Sequence, residues 1–496
     1  MDSNHVESLL SLKGSCCHAL DFLLKDKVSF AGSTAYNASL ASYWSIQEQS
    51  VHPSCIVSPH SAEDVSIGLQ VLNIGGRIFP HQCQFAVRSG GHTPWASSAN
   101  IQMGVTIDLQ QLNGIAIAPD GKSVTVGPGN RWNDVYARLA PHGLVTSGGR
   151  VSDVGVGGLT LGGGLSFFSP QHGFVCDTVT RYEVVLPCGE IVNATETSYS
   201  DLWLALKGGS NNFGIVTAFE QTAFPQGNFW GGFVGNDVST FPAQFEALEA
   251  FTANPHYDPY AAFINSYVFN LKSGGWYAAN QYTYTKSLGT STKPLNPQPE
   301  VFDNFTALPT FFSTMRTSNI TDFTTELAAH NAGGRRQLFT SATFVNSAKM
   351  MAAFIDIANA TIQEDLITVP DMSYSISYQP QPKIITSKAA TTGGNSLGLD
   401  GSQNLFNALL TISWDTPADD ARVTKQAKRL ISESNIKAKE LGVENRYIYL
   451  NYAAEWQDPI AGYGEDVKEG LQAVSRKYDP KGMFQHQCPG GFKLFD

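Results

Sequence analysis

The chain is short of charge. Asp, Glu, Lys and Arg together make up 15% of its 496 residues, and the net charge is −11. No run of basic residues offsets that acidic balance, so neither nucleic acid nor an anionic membrane surface is an expected partner. No apolar run approaches the ~20 residues needed to span a bilayer. There are seven cysteines, none in a C-x-x-C pair, which argues against a zinc framework and leaves no metal site to propose. A P-loop, a G-x-G-x-x-G dinucleotide fingerprint and an H-E-x-x-H zinc motif are all missing. The first eight residues lack the basic segment and apolar core of a secretory leader. The chain is therefore expected in the cytoplasm if it is full length, and outside the cell if a leader has been removed.

What is present reads as a large globular protein. Hydrophobic residues reach 42% and aromatic residues 11%. A chain this long exceeds one simple core, so two domains are expected. Ile56-Val57 reads as a strand end. Ser61 then caps a helix through Val65, Leu69 and Leu72 that stops near Gly75-Gly76. Strands follow at Phe85–Val87, Val105–Leu109 and Ser123–Gly127, then a helix around Trp132–Leu139. Glu183–Leu186 pairs with Glu190–Val192 across a turn. After Phe224-Pro225 the composition shifts to longer polar–aromatic strands and amphipathic helices, including 347–363. Thr416-Pro417 opens a long helix ending at Gly442. Arg446–Tyr452 reads as a strand and Asp466–Lys477 as a final helix. The fold class is α+β.

Glycine is where the chemistry gathers. Arg88-Ser89-Gly90-Gly91-His92 closes a strand, and Gly155-Val156-Gly157-Gly158 begins a second cluster that runs to Gly162-Gly163-Gly164. Paired glycines let a backbone approach a bulky ligand because no Cβ intervenes. Together with the flanking cation and imidazole, they suggest a phosphate-bearing cofactor held by backbone amides.

In order and spacing, these segments resemble the FAD half of the vanillyl-alcohol-oxidase (PCMH-type) flavoproteins, and more narrowly the fungal berberine-bridge-enzyme-like oxidases. The resemblance is carried further by Ile56-Val57-Ser58-Pro59, Val126-Gly127-Pro128-Gly129, Gly208-Gly209-Ser210-Asn211-Asn212, Tyr449-Leu450-Asn451-Tyr452 and Tyr478-Asp479-Pro480. It implies an FAD domain formed by residues 28–225 and completed by 430–496. A substrate domain over 226–429 would combine an antiparallel sheet with covering helices, with the flavin lying between the two.

The resemblance also assigns roles. Arg88, Ser89, Gly90 and Gly91 would wrap the pyrophosphate, helped by Gly155, Gly157, Gly158 and Gly162. Val216 would lie at the adenine end and Asn451 near the flavin ring. His92 matches the histidine bonded to the flavin 8α carbon. A second, cysteinyl tether found in many relatives has Val151 at its position here, so the flavin would be held through His92 alone. Val154 stands where a small branched residue admits O₂. Tyr449 and Tyr452 are the catalytic candidates. On a strand, residues 449 and 451 would share a face, which favours Tyr449. The implied activity is oxidation of a small organic molecule by hydride transfer to FAD with O₂ as acceptor, as a tailoring step of secondary metabolism. A carbohydrate oxidase, or a non-redox isomerase or cyclase on the same scaffold, are the alternatives.

Overall fold

A computed structural model describes residues 3–495. Three large sheets organise it, beside a two-stranded one that pairs Leu144–Val145 with Phe224–Pro225. The first runs in the order Val28–Ser29, Cys55–Val57, Val105–Asp108, Phe85–Arg88. Its last three strands pair in parallel. Such pairing needs crossovers, and the helix Ala62–Ile78 supplies one, capped by the Ser61 hydroxyl, which accepts from the Asp64 amide. That helix runs past Gly75 and Gly76, the expected stop. Two further helices, Ser3–Lys13 and Cys16–Leu24, pack on it, so the amino-terminal unit begins well before residue 28. Disulfides Cys16–Cys83 and Cys17–Cys55 tie the second of these to the segment that follows Ala62–Ile78 and to the strand Cys55–Val57.

The second sheet is antiparallel and contains Ile115–Ile117, Ser123–Val126, Ile215–Thr222, Val179–Val185 and Ile191–Thr195. The hairpin expected near 187–189 is present, with Val185 opposite Ile191.

The third sheet is the largest and wholly antiparallel. Its long strands are Phe229–Asp237, Gly275–Tyr284, Ala261–Asn270, Ser373–Gln381, Leu405–Trp414 and Arg336–Val345. Strand alternation gives it two distinct faces. In Ser373–Gln381, Tyr374, Ile376 and Tyr378 are buried in one core with the helices Phe241–Ala253, Ala348–Glu364 and Asp420–Leu441. Ser373, Ser375 and Ser377 point the opposite way, into a cleft. The last helix ends at Gly442 in a left-handed conformation (φ 67°), as its sequence requires. It packs as one piece with the third sheet, so a boundary drawn at 429/430 falls inside it.

One element differs in kind. Residues 446–452 form no strand; the segment is extended and closes in a 3₁₀ turn over Leu450–Tyr452. The Tyr452 amide donates to the Tyr449 carbonyl at 2.9 Å. Positions three apart eclipse in such a turn, so Tyr449 and Tyr452 share a side and their rings meet edge to face, 4.7 Å apart.

Candidate active site

A cleft of about 670 Å³ lies where the open face of the third sheet meets the glycine loops of the first two. Its size is that of a cofactor and substrate site.

The loops are held by backbone contact. A Cβ on Gly90 would sit 2.5 Å from the Gly155 Cα, so the two loops touch only because both positions are glycine. Gly91 has φ +66°, and a side chain there would meet Tyr43 and Arg88. The Ser89 hydroxyl donates to the Pro128 carbonyl at 2.6 Å and accepts from the Gly157 amide at 3.1 Å, joining three glycine segments. Gly158 is different: a Cβ there would meet nothing within 4 Å, because the position is open and lines the cleft. Val154 and Val216 line the cleft as well.

Two expected cofactor residues do other work. Arg88 is fully buried and does not line the cleft. Its guanidinium donates to the Ser39 carbonyl, the Ser42 hydroxyl and the Asp108 carboxylate, and lies over the Tyr43 ring. It is a paired core cation, while its neighbours Val87 and Ser89 to His92 line the cleft. Gly162 is also outside the lining. A Cβ there would fall 2.2 Å from Asn451 Oδ1, so its role is to let Asn451 approach. Asn451 then donates to the Leu159 carbonyl and the Tyr449 hydroxyl, both at 3.0 Å.

His92 lines the cleft with its ring stacked on Trp44, centroids 4.3 Å apart. Trp44 is in turn fixed by donating to the Asn331 carbonyl on the other side of the cleft. His92 Nε2 is buried and has no hydrogen-bond partner. Burial pushes the imidazole down to about 4, against the pull of Asp153, so it is neutral and nucleophilic near pH 7.

The two tyrosines separate by environment. Tyr449 is 2% exposed, and burial drives its phenol well above the ordinary tyrosine range. Tyr452 is half-buried, and its hydroxyl is held by two residues. Arg150 Nη2 donates to it at 2.9 Å, and Gln379 Nε2 donates at 3.1 Å. Arg150 also donates to Gln379 Oε1 at 2.5 Å, closing a triangle. The strand on which the preference for Tyr449 rested does not form. Arg150 escaped sequence reading. Its signal was the pair Gly148-Gly149 before it, whose Cβ positions would collide with Trp132.

Among the described residues lining the cleft, Arg150 is the one with a formal charge; no Asp, Glu or Lys is present. The wall opposite the glycine loops combines small hydroxyls, including Ser266 and Ser377 at 2.8 Å from each other, with Phe233, Phe339 and the exposed pair Phe311 and Phe312. Gly394-Asn395-Ser396-Leu397-Gly398 has the spacing of a hydrolase nucleophile elbow. Ser396, however, is buried and its hydroxyl donates to the Leu204 carbonyl, so it offers no nucleophile. His172 is stacked on Phe224 outside the cleft.

These features fit FAD. Paired glycines allow close approach to a pyrophosphate, Gly158 leaves an open edge, and a neutral histidine with an unsatisfied nitrogen faces the same space. Comparison with known proteins agrees. The FAD binding domain family matches residues 53–195. The chain is 39% identical to FAD-dependent monooxygenase CTB5 of Cercospora beticola, with 99% of this chain and 94% of the relative covered. It is 37% identical to FAD-dependent monooxygenase sdcF of Emericella nidulans, with 97% and 98% covered. Glucooligosaccharide oxidase of Acremonium strictum has the same fold, with TM-score 0.74 at 20% identity over 94% of this chain and 96% of the other. So does 6-hydroxy-D-nicotine oxidase of Arthrobacter nicotinovorans, with TM-score 0.73 at 20% identity over 93% and 97%. The Acremonium flavin is described as 6-S-cysteinyl, 8α-N1-histidyl FAD. From its glycine loops to its relatives, the chain belongs to the fungal FAD-dependent oxidoreductases of the PCMH-type, berberine-bridge-enzyme-like family.

Proposed function

We propose that the protein is an oxidase that removes a hydride and a proton, two electrons and two protons in all, from a small, uncharged organic substrate in a tailoring step of secondary metabolism, with Tyr452 as the base. When bound, FAD accepts hydride at N5 and passes the electrons to O₂, giving H₂O₂. Every other task falls to the chain. Tyr452 Oη takes the substrate proton. Arg150 keeps an N–H donor and a positive charge on that oxygen, so the phenolate that accepts the proton is met without reorganisation. Gln379 fixes the ring's orientation. Tyr449 and Asn451 brace the turn that presents Tyr452. Val154 leaves space for O₂, and His92 tethers the flavin alone, because Val151 offers no sulfur.

The observation that carries this reading is the Arg150–Tyr452–Gln379 triangle in a cleft without carboxylates. The lack of acidic groups and the phenylalanine rim favour a tailoring substrate over an oligosaccharide, whose many hydroxyls call for more polar partners. Anaerobic mixing with substrate tests it: the flavin absorbance bleaches, and fails to do so in Tyr452→Phe. Product formed without bleaching would mean isomerisation or cyclisation instead. The monooxygenase names of the relatives motivate a second reading, insertion of one oxygen atom. Turnover under ¹⁸O₂ separates the two, because an oxidase leaves the label in H₂O₂ and a monooxygenase places it in product.

A further inference from the structure

Four buried cysteines are joined in two bridges, Cys16–Cys83 and Cys17–Cys55. The helix Ala62–Ile78 is shaped for the first of them. A Cβ on Gly75, inside that helix, would fall 2.2 Å from Cys16 Sγ and 2.7 Å from Cys83 Sγ, so a residue that weakens helices stands where the bridge passes. Structural disulfides form and persist along the secretory route and outside the cell, and are rare in the reducing cytosol. A chain on that route meets the machinery that glycosylates asparagine in Asn-x-Ser/Thr. This sequence has the motif at Asn37, Asn193, Asn304, Asn319 and Asn359.

The structure separates the five. Asn37 on the helix Thr34–Ala41, Asn193 on the sheet-edge strand Ile191–Thr195, Asn304 on the helix Asp303–Thr306 and Asn319 at the cap of the helix Ile320–Ala329 are all exposed. Among the described residues, Nδ2 of these four donates no hydrogen bond. Where the carboxamide is held, its oxygen holds it. Asn193 Oδ1 accepts from Arg181, and Asn319 Oδ1 accepts from the Thr321 hydroxyl and the Asp322 amide. The nitrogen is left to solvent. Outside the motif, Nδ2 of Asn73, Asn100, Asn130, Asn212 and Asn228 each donates to a carbonyl. None of the four exposed positions lines the cleft. Asn359 differs: it is half-buried, its Oδ1 accepts from the Trp276 indole at 3.0 Å, and Thr361 of its motif is fully buried.

We propose that Asn37, Asn193, Asn304 and Asn319 carry N-linked glycans and that Asn359 does not. In the transfer, Nδ2 bonds to C1 of the first sugar of a polyisoprenyl-diphosphate oligosaccharide. The C1–O bond breaks with its electron pair leaving on the lipid diphosphate, one amide proton is released, and nothing is oxidised or reduced. A glycan on Nδ2 keeps the Oδ1 contacts of Asn193 and Asn319 and displaces no protein partner. A glycan on Asn359 would start from the half-buried carboxamide that fixes the Trp276 indole.

The test is made on the protein isolated from the organism that produces it. Peptide-N-glycosidase digestion in H₂¹⁸O converts each glycosylated Asn to ¹⁸O-labelled Asp, read by peptide mass spectrometry. A parallel denatured sample is alkylated before and after reduction. The expected result is label at Asn37, Asn193, Asn304 and Asn319, none at Asn359, and alkylation of Cys16, Cys17, Cys55 and Cys83 only after reduction. A position returned as unlabelled Asn is overturned as a site, and all four so returned overturn the proposal. Label at Asn359 would show that the motif decides without regard to burial, and would overturn the selection made by the structure. Alkylation of the four bridge cysteines before reduction would remove the oxidising route, and this inference with it.

Discussion

Arg150 and Tyr452 stand 302 positions apart in the chain and meet through a 2.9 Å hydrogen bond, the guanidinium donating to the phenolic oxygen. The bond joins the loop after Gly148-Gly149 to the turn after Tyr449, so proper folding of both glycine-rich loops and the carboxyl-terminal segment is a condition for the site. Tyr452→Phe removes the proton acceptor and should lower the anaerobic rate of flavin reduction at least a hundredfold, about the size of a general-base contribution. Arg150→Met should lower it less and raise KM little, with Arg150→Lys in between, because an ammonium supplies the charge without the forked geometry. Tyr449→Phe removes the oxygen that accepts from Asn451 and should retain most of the rate. If Tyr449→Phe proves the more damaging change, the assignment of the base is reversed.

The glycines make a sharper contrast. Gly90→Ala forces a Cβ to within 2.5 Å of the Gly155 backbone, where nothing flexible can give way. It should destabilise the protein by about 1–3 kcal/mol, as overpacking does, and lower its melting temperature with or without flavin. Gly158→Ala meets no protein atom within 4 Å. It should leave the apoprotein's melting temperature unchanged while reducing retained FAD, because the added methyl occupies the cleft. Equal thermal losses in the two variants would show that Gly158 serves the fold rather than the ligand.

Sequence was a good guide wherever local signals decide structure. Ser61, Thr416-Pro417 and Gly442 mark helix ends because caps act within one turn. Gly90 and Gly155 were legible because close backbone approach leaves few other residues possible. What escaped was set by distant partners. Arg88 looked like a phosphate ligand until Asp108 and Ser39 were placed around it. Residues 446–452 carried strand composition but found no neighbouring strand to pair with, so the turn at Leu450–Tyr452 brought Tyr452, rather than Tyr449, to Arg150. An isolated arginine after two glycines carries no signal of the tyrosine that will meet it 302 positions later.

The disulfides give a test on stability. Cys16–Cys83 encloses a separation of 67 residues and Cys17–Cys55 one of 38. Loop-closure entropy for rings of this size stabilises the folded state by about 4 kcal/mol each, an upper figure where loops are nested. Reduction should therefore loosen Cys16–Leu24 from the strand Cys55–Val57 and the segment at Cys83, weaken the packing of Ser3–Lys13 with it, and lower the melting temperature, leaving bound flavin intact at lower temperatures. Hydrogen exchange would show the effect confined to these helices. Uniform loss of protection would mean that the bridges support the flavin loops as well.

Glu48 sets a pH dependence. Its side chain is fully buried, and burial pushes its carboxyl up to about 7 although the amides of Ser97 and Ala99 donate to it at 3.0 and 2.6 Å. The folded protein thus keeps a proton that the unfolded chain releases near the ordinary 4.5. Between those values the unfolded state binds fewer protons, so stability falls as pH rises. The contribution is complete below about pH 4.5 and is lost through pH 7, amounting to about 3 kcal/mol at most. His92 and His172, each held down to about 4, act in the opposite sense over an overlapping range, since folding disfavours their charged forms as pH falls below 6.5. The term is therefore isolated by difference. Chemical denaturation of wild type and Glu48→Gln from pH 4 to 8 should give curves that converge as pH rises and flatten above 7, because the amide variant has no proton to lose. Curves that stay parallel would show that Glu48 is ionised throughout, with the Ser97 and Ala99 amides outweighing its burial.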